Sequence, residues 1–255
     1  HLLEVIETAR KEGVPEIHLV TNGQSLSNRK FCARLLKAGV NKITLSMHSP
    51  YESIENRITQ NPRSFRLKMK GLQNLVHFYN KGKQLLGHPL FELCANTVIN
   101  PLNQNVLTDH LLFLHQHGIE IINFFFPKVE GMHALDTYEE AVPYFDSIRK
   151  PLKDCAHIAR QHGIKLSIVD VPPCVCPDAL DFMGIRRIKV VYTNREENFA
   201  DNTILTTLGK VKHEKCGECA FFWRCEGVFE TYVSRRGWDE LSPVSSIGTG
   251  IIDSV

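Results

Sequence analysis

The residues best suited to chemistry crowd into Lys215–Val228, KCGECAFFWRCEGV, where Cys216, Cys219 and Cys225 form a C-x2-C-x5-C pattern. Two further thiols, Cys174 and Cys176, stand upstream in VPPCVCPD. Thiolates two residues apart can both face one metal from a tight turn. A third six residues on, with a fourth from a distant loop, can close a tetrahedral or a cubane site. Spacing alone leaves zinc and iron–sulfur ligation both open. A disulfide framework fits poorly, because no signal peptide is visible and the remainder reads as a soluble α/β protein. Cys32, Cys94 and Cys155 sit singly among apolar residues and read as buried free thiols. That reading does not account for three thiols within ten residues. His213, three residues before Cys216, is an alternative nitrogen ligand.

Composition narrows the class. A chain of 255 residues can bury a sizeable core and fits one domain plus an appendage. Net charge of +2 with 23% charged residues gives no basic field for nucleic acid. No apolar run approaches the length of a membrane span, so a soluble protein is expected. Eight cysteines without a secretory leader point to a reducing compartment, the cytoplasm. The chain opens at His1 directly in a helical pattern, with neither Met nor a leading strand, so a piece of a longer protein is expected.

The elements that must position these residues are legible as a repeat. Leu2, Leu3, Val5, Ile6 and Ala9 mark an amphipathic helix, and EIHLV a strand ending in Thr21-Asn22-Gly23. Ser27 or Asn28 caps a helix over Phe31–Leu36, followed by the strand KITLS. Phe65–Tyr79, then FELCANTVI, then Val106–Leu114, then IEIINFFFP continue the alternation. A helical region over Tyr138–His162, broken by Pro151, leads to KLSIVDV. The joints RKEGVPEIHLV, LKAGVNKITLS, HQHGIEIINFF and RQHGIKLSIVD share a polar helix end, a glycine suited to a left-handed cap, and Val or Ile entering a strand. Such alternation predicts βαβ units and a parallel sheet. The apolar strands suggest cover on both faces. An open doubly wound sheet and part of a barrel both satisfy the pattern. From Val171 prolines and cysteines replace the repeat, IKVVYT suggests a short strand, and a polar tail follows Pro243.

In parallel α/β folds ligands meet the carboxyl ends of the strands. Those ends carry Thr21, Asn22 and Gly23, then Ser46 and His48, then Asn96 within an apolar strand, then Lys128 and Glu130. Arg57 follows the second of these strands and is suited to clamp a carboxylate. An ordinary turn, a structural histidine and a surface salt bridge are the competing readings of the Thr21–Gly23 turn, His48 and Arg57. There is no P-loop, no dinucleotide fingerprint and no nucleophile elbow. His110, His115 and His117 lack the i, i+4 spacing of a helical zinc pair and read as solvent-facing.

IHLVTNG with KITLSMHSPYESIENRITQNPRSF resembles the third and fourth strands of radical S-adenosylmethionine enzymes. In those enzymes a strand ending in TNG precedes one ending in Ser-x-His or Ser-x-Asp, then an Arg-Ile-Thr segment and a helix-opening Ser-Phe. CGECAFFWRCEGVFETYVSRRGWDELSPV resembles their C-terminal auxiliary iron–sulfur segment of the SPASM/twitch type. The resemblance covers nearly the whole chain, and the two blocks together are quite specific.

The resemblance implies a partial (β/α)6 TIM-like barrel over residues 1–170, lacking its first strands. A cysteine-rich auxiliary-cluster extension over 171–244 and a polar tail over 245–255 would follow. It implies S-adenosylmethionine across the strand ends and a 4Fe–4S cluster that cleaves it to a 5′-deoxyadenosyl radical. Thr21, Asn22 and Gly23 would line the methionine side of the cofactor. Ser46, His48 and Asn96 would approach its ribose or carboxylate, Arg57 its carboxylate, and the turn after Phe126 its adenine. The defining C-x3-C-x2-C of the cleaving cluster is absent from these residues, so it is expected upstream of His1, and this stretch alone is expected to be inactive. Phe229 stands where the auxiliary pattern's last cysteine would be. The ligand set that follows is Cys174, Cys216, Cys219 and Cys225, with Cys176 as the alternative to Cys174. Cys174 is preferred because Pro172-Pro173 fixes the chain before it. Implied partners are an electron donor such as flavodoxin or ferredoxin, and a peptide or small-molecule substrate. The rival reading is a non-enzymatic α/β binding or regulatory module whose cysteines hold a structural zinc.

Overall fold

In a computed structural model that describes residues 1–129, 136–183 and 208–245, the glycine joints do what their positions demand. Gly39 (φ 120°) and Gly163 (φ 63°) each end a helix in a conformation that a side chain resists, and each turns the chain into a strand. The strands are β1 (His18–Thr21), β2 (Lys42–Ser46), β3 (Glu92–Val98), β4 (Ile121–Phe125) and β5 (Lys165–Val169). The helices alternating with them are α1 (Leu2–Lys11), α2 (Arg29–Ala38), α3 (Glu52–Ile58), α4 (Ser64–Leu86), α5 (Leu107–Gln116), α6 (Tyr138–Ala141) and α7 (Phe145–His162). Asn28 caps α2, its Oδ1 accepting from the N–H groups of Lys30 and Phe31, worth about 1 kcal/mol.

Strand order decides between the two sheets that the sequence left open. The five strands are all parallel and pair in chain order, β1-β2-β3-β4-β5. A doubly wound sheet reverses order at its middle and is flanked by helices on both sides. A consecutive order is that of a (β/α) barrel wall.

Parity along the strands shows which face is covered. Ile43, Leu45, Leu93, Ala95, Ile122, Phe124, Leu166 and Ile168 are buried in one apolar cluster with Leu72 and Leu75 of α4, Leu111 and Leu114 of α5, and Ile148 and Leu152 of α7. The alternate residues form the other face, and many of them are polar: Lys42, Thr44, Ser46, Glu92, Asn96, Asn123, Lys165 and Ser167. Ser46, Asn96 and Ser167 are only half-buried, and Lys165 is exposed. The expectation of cover on both faces holds at the centres of β2, β3 and β4, where Thr44, Cys94 and Asn123 of this face are buried too, and fails nearer the strand ends, where Ser46 and Asn96 are half-buried. Each strand mixes an apolar parity with a polar one, and the apolar total hides the alternation.

Two further expectations are corrected. The helical region breaks at Pro143, where Val142 is extended as a residue before proline prefers, and Pro151 lies inside an unbroken α7. The roughly 3 kcal/mol that an interior proline costs is offset by Ile148, Leu152, Cys155, Ala156 and Ala159, all buried along one side of that helix. His110 is not solvent-facing. It is wholly buried, with Nε2 3.0 Å from the Met47 carbonyl oxygen and 3.1 Å from Thr97 Oγ1. The pattern missed it because helix α5 turns that residue onto the end of the sheet.

Beyond β5 the described chain forms a short antiparallel pair, β6 (Lys210–Val211) with β7 (Val228–Phe229), and then α8 (Glu230–Arg236). The IKVVYT strand expected over 188–193 and most of the 245–255 tail lie outside the described residues.

Burial pushes the His110 imidazole down to about 4. An unfolded histidine titrates near 6.5, so below that pH the unfolded chain binds a proton that the folded chain refuses. Stability is accordingly present above pH 6.5 and falls toward pH 4, by about 1.4 kcal/mol per pH unit for this one group. Denaturant unfolding across that window is expected to show the slope, and His110→Gln to flatten it.

Candidate functional site

Register carries polar groups across the open face in one row. Ser46 pairs with Asn96, Asn96 with Asn123, and Asn123 with Ser167. Asn123 Nδ2 donates to Asn96 Oδ1 at 2.9 Å, which fixes the Asn96 amide and leaves its Nδ2 as the outward donor. Asn123 and Ser167 were not singled out in the sequence. The signal that would have found them is parity: they occupy the same face as Ser46 and Asn96.

At the carboxyl end of β1, Thr21 Oγ1 accepts from the Gly23 N–H and Asn22 Oδ1 from the Gln24 N–H, a side-chain-closed turn. Gly23 is demanded by packing. A Cβ there would meet Leu45 Cδ1 at 2.2 Å, and Gly71 of α4 lies against the Gly23 carbonyl.

His48 follows β2 and is held at three points. Its N–H donates to Glu55 Oε2 (2.7 Å), its carbonyl accepts from Asn103 Nδ2 (3.0 Å), and its Nδ1 accepts from the Val98 N–H (3.2 Å). Nδ1 as acceptor places the ring proton on Nε2, and burial lowers the imidazole's pKa, so the ring presents a neutral N–H donor. Behind this turn sits a buried ion pair, Lys68 Nζ to Glu55 Oε1 at 2.5 Å, with both side chains at most 1% exposed. The same carboxylate takes the Ser49 N–H at 3.0 Å. Arg57 is exposed on α3, and its guanidinium makes no hydrogen bond or ion pair with a described residue. Phe126 packs on Phe145 and Tyr232 at ring distances of 4.5 and 5.7 Å. Lys128 is exposed, and Glu130 lies outside the described residues.

The second site lies past β5. Cys174, Cys216, Cys219 and Cys225, from two segments some forty residues apart, line one cavity of about 430 Å³ with Phe221, Phe222, Trp238 and His213. Cys176 does not line it and is buried in the main core. All eight thiols are free. Burial and the neighbouring Cys225, Cys219 and Cys216 push the Cys174 thiol up to about 12. Two of the four sulfurs already accept backbone hydrogen bonds: Cys225 Sγ from Gly227 N–H (3.3 Å) and Cys219 Sγ from Val244 N–H (3.4 Å). His213 Nδ1 accepts from the Lys215 N–H and so caps the turn that presents Cys216. Among the described residues no three His, Cys, Asp or Glu side chains converge on a single-ion point. The thiols stand around a volume.

The sequence matches no family model and no curated protein. Among solved structures, Streptococcus suis SuiB bound to S-adenosylmethionine is similar over 96% of this chain, with a TM-score of 0.54 and 13% identity. The two share a fold. This chain spans 62% of the length of SuiB. Similarity at that identity establishes the architecture and leaves the chemistry to the residues themselves. No described helix is long and apolar enough to cross a membrane.

The Glu55–Lys68 pair makes a direct stability test. Truncating one partner leaves the other charge buried and unpaired, at a cost of about 3–5 kcal/mol. Lys68→Met is expected to show a loss of that size in denaturant unfolding. Glu55→Gln combined with Lys68→Met is expected to recover part of it.

Proposed function

We propose that this chain is part of a radical S-adenosylmethionine enzyme and carries an auxiliary 4Fe–4S site held by Cys174, Cys216, Cys219 and Cys225. The observation that carries the reading is the polar row across the inner parity of the strands, on a fold shared with a protein that binds S-adenosylmethionine. The cofactor is zwitterionic and carries a ribose, so it needs directed donors and acceptors in a water-poor hollow. Ser46, His48 Nε2 and the Asn96 amide supply donors toward its ribose or carboxylate. Thr21, Asn22 and Gly23 form the turn beside its methionine end, and Arg57 is a cation available to its carboxylate.

The four thiols suit an iron–sulfur cluster by their chemistry: four cysteine sulfurs from two segments line one cavity. N–H donors to the sulfurs are among the groups that set such a cluster's potential. Bound there, such a cluster supplies one-electron transfer. The protein's part is to hold the thiolates, exclude water with Phe221, Phe222 and Trp238, and direct the Gly227 and Val244 N–H groups at sulfur. None of the eight cysteines is spaced C-x3-C-x2-C, so no cleavage step is assigned to residues 1–255. The substrate class, peptide or small molecule, and the electron donor, flavodoxin- or ferredoxin-like, follow from the family reading alone.

Iron, acid-labile sulfide and zinc are to be measured on the chain purified without oxygen. About four iron and four sulfide per chain are expected. Cys219→Ala is expected to lose that iron and Cys94→Ala to keep it. One zinc without sulfide, persisting after anaerobic reconstitution, would favour the structural-zinc module. For the barrel, Asn96→Leu is expected to weaken S-adenosylmethionine binding by about tenfold in calorimetry, the value of one well-placed hydrogen bond.

A further inference from the structure

The four thiols belong to two segments, and the structure shows what sets the distance between them. Helix α7 lacks a side-chain cap at its own N-cap residue, Tyr144. Its first N–H groups are taken by residues about ninety positions later: Phe145 N–H donates to Tyr232 Oη at 3.0 Å, and Asp146 N–H to Glu240 Oε1 at 2.9 Å. Tyr232 Oη in turn donates to Glu240 Oε2. The chain that follows Glu240 returns to the cavity, where Val244 gives its N–H to Cys219 Sγ and its carbonyl to the Ala220 N–H. The first turn of α7 thus grips the segment that packs the Cys216–Cys225 loop.

One turn on, Arg149 grips the other segment. Its Nη1 donates to the carbonyls of Cys174 (2.9 Å) and Val175 (2.8 Å), and its Nη2 to the carbonyl of Glu240. Its Nε donates to Asp146 Oδ1 at 2.7 Å, which holds the guanidinium plane on the helix. A planar fork with donors at fixed angles bridges three carbonyls from two segments in one set geometry, which a compact ammonium on a flexible stem does not impose.

We propose that Arg149 is a positioning residue for the thiol site, fixing Cys174 relative to Cys216, Cys219 and Cys225. The proposal rests on the cluster reading for its purpose, and the clamp itself can be read without any metal. Free backbone carbonyls at Cys174 and Val175 would let the Pro172–Cys176 loop open alone, while the Cys216–Cys225 loop keeps its own turn, cap and N–H···S bonds.

The test is site-resolved alkylation by iodoacetamide, read by mass spectrometry, on wild type, Arg149→Met and Arg149→Lys. Each is prepared both metal-free and after anaerobic reconstitution with iron and sulfide. In metal-free Arg149→Met, Cys174 is expected to react at least about tenfold faster than in wild type. Cys219 and Cys225, with buried Cys32 and Cys155 as internal controls, are expected to stay within about twofold. Arg149→Lys is expected to shift the same way by less, and it carries the test if the Met variant does not fold. In the reconstituted variants Cys174 alone is expected to lose protection. An unchanged Cys174 rate, or a rise shared by all the thiols and the core controls, would overturn the proposal. A wild type that takes up no iron, yet shows the selective Cys174 rise when metal-free, would sink the cluster reading and leave the clamp standing.

Discussion

A parallel sheet whose helices all pack on one side has a second face that must be used for something. Here the apolar parity of β2 to β5 is buried under α4, α5 and α7, and the other parity carries most of the polar side chains of these strands. Because parallel strands in register align residues that point the same way, one polar residue per strand becomes a continuous row, Ser46-Asn96-Asn123-Ser167. Part of that row is satisfied from within, Asn123 Nδ2 donating to Asn96 Oδ1, because an unpaired amide in a dry core costs about 1–3 kcal/mol. The fold therefore places its ligand-suited groups by geometry, without a dedicated loop motif.

The carboxyl end of β2 is stiffened from behind. The turn Met47-His48-Ser49 is where β2 leaves the sheet, and Glu55, Asn103, Thr97 and His110 all hydrogen-bond its backbone. Burying the Glu55–Lys68 pair there contributes little net stability against an apolar replacement. It does give the carboxylate two backbone N–H groups to hold, and so it fixes where His48 stands. The arrangement spends stability on position, as expected of a binding rim.

Legibility in the sequence follows whether the signal is local. The glycine joints, the strand KITLS, the Asn28 cap and the three thiols in ten residues are local patterns, and each appears where its residues place it. The difference between the two faces is hard to read because EIHLV and FELCANTVI are apolar in sum, and only their parity distinguishes the faces. The break at Pro143 rather than Pro151 depends on how tightly α7 packs, which no window of sequence contains. His110 and Asn123 escape for the same reason: their partners, Met47 and Asn96, lie 63 and 27 residues away. Cys174 and Cys176 are separated by a turn that their spacing does not reveal. Residues two apart in an extended stretch would face the same way, but the Val175 N–H closes on the Pro172 carbonyl and sends one thiol to the cavity and the other to the core.

The sheet and the thiol cavity are joined rather than merely adjacent. The chain leaves β5 through Asp170, held at a positive φ of 63°, and passes two prolines before Cys174. The stretch from Val169 to Cys174 spans at most about 17 Å, and the prolines remove most of the freedom within that span. Lys210 adds a noncovalent tie: nearly buried itself, it binds Asp170 Oδ1 at 2.7 Å and Glu226 Oε2 at 2.5 Å, and Glu226 is the neighbour of Cys225. One cation between two carboxylates in a poorly hydrated place is costly to separate, because either carboxylate released would lose the countercharge that it shares there. The joint is therefore a fixed spacer. On the proposed reading, a group held by the four thiols stands at one set distance from whatever the polar row binds, and electron exchange between the two sites needs no domain movement.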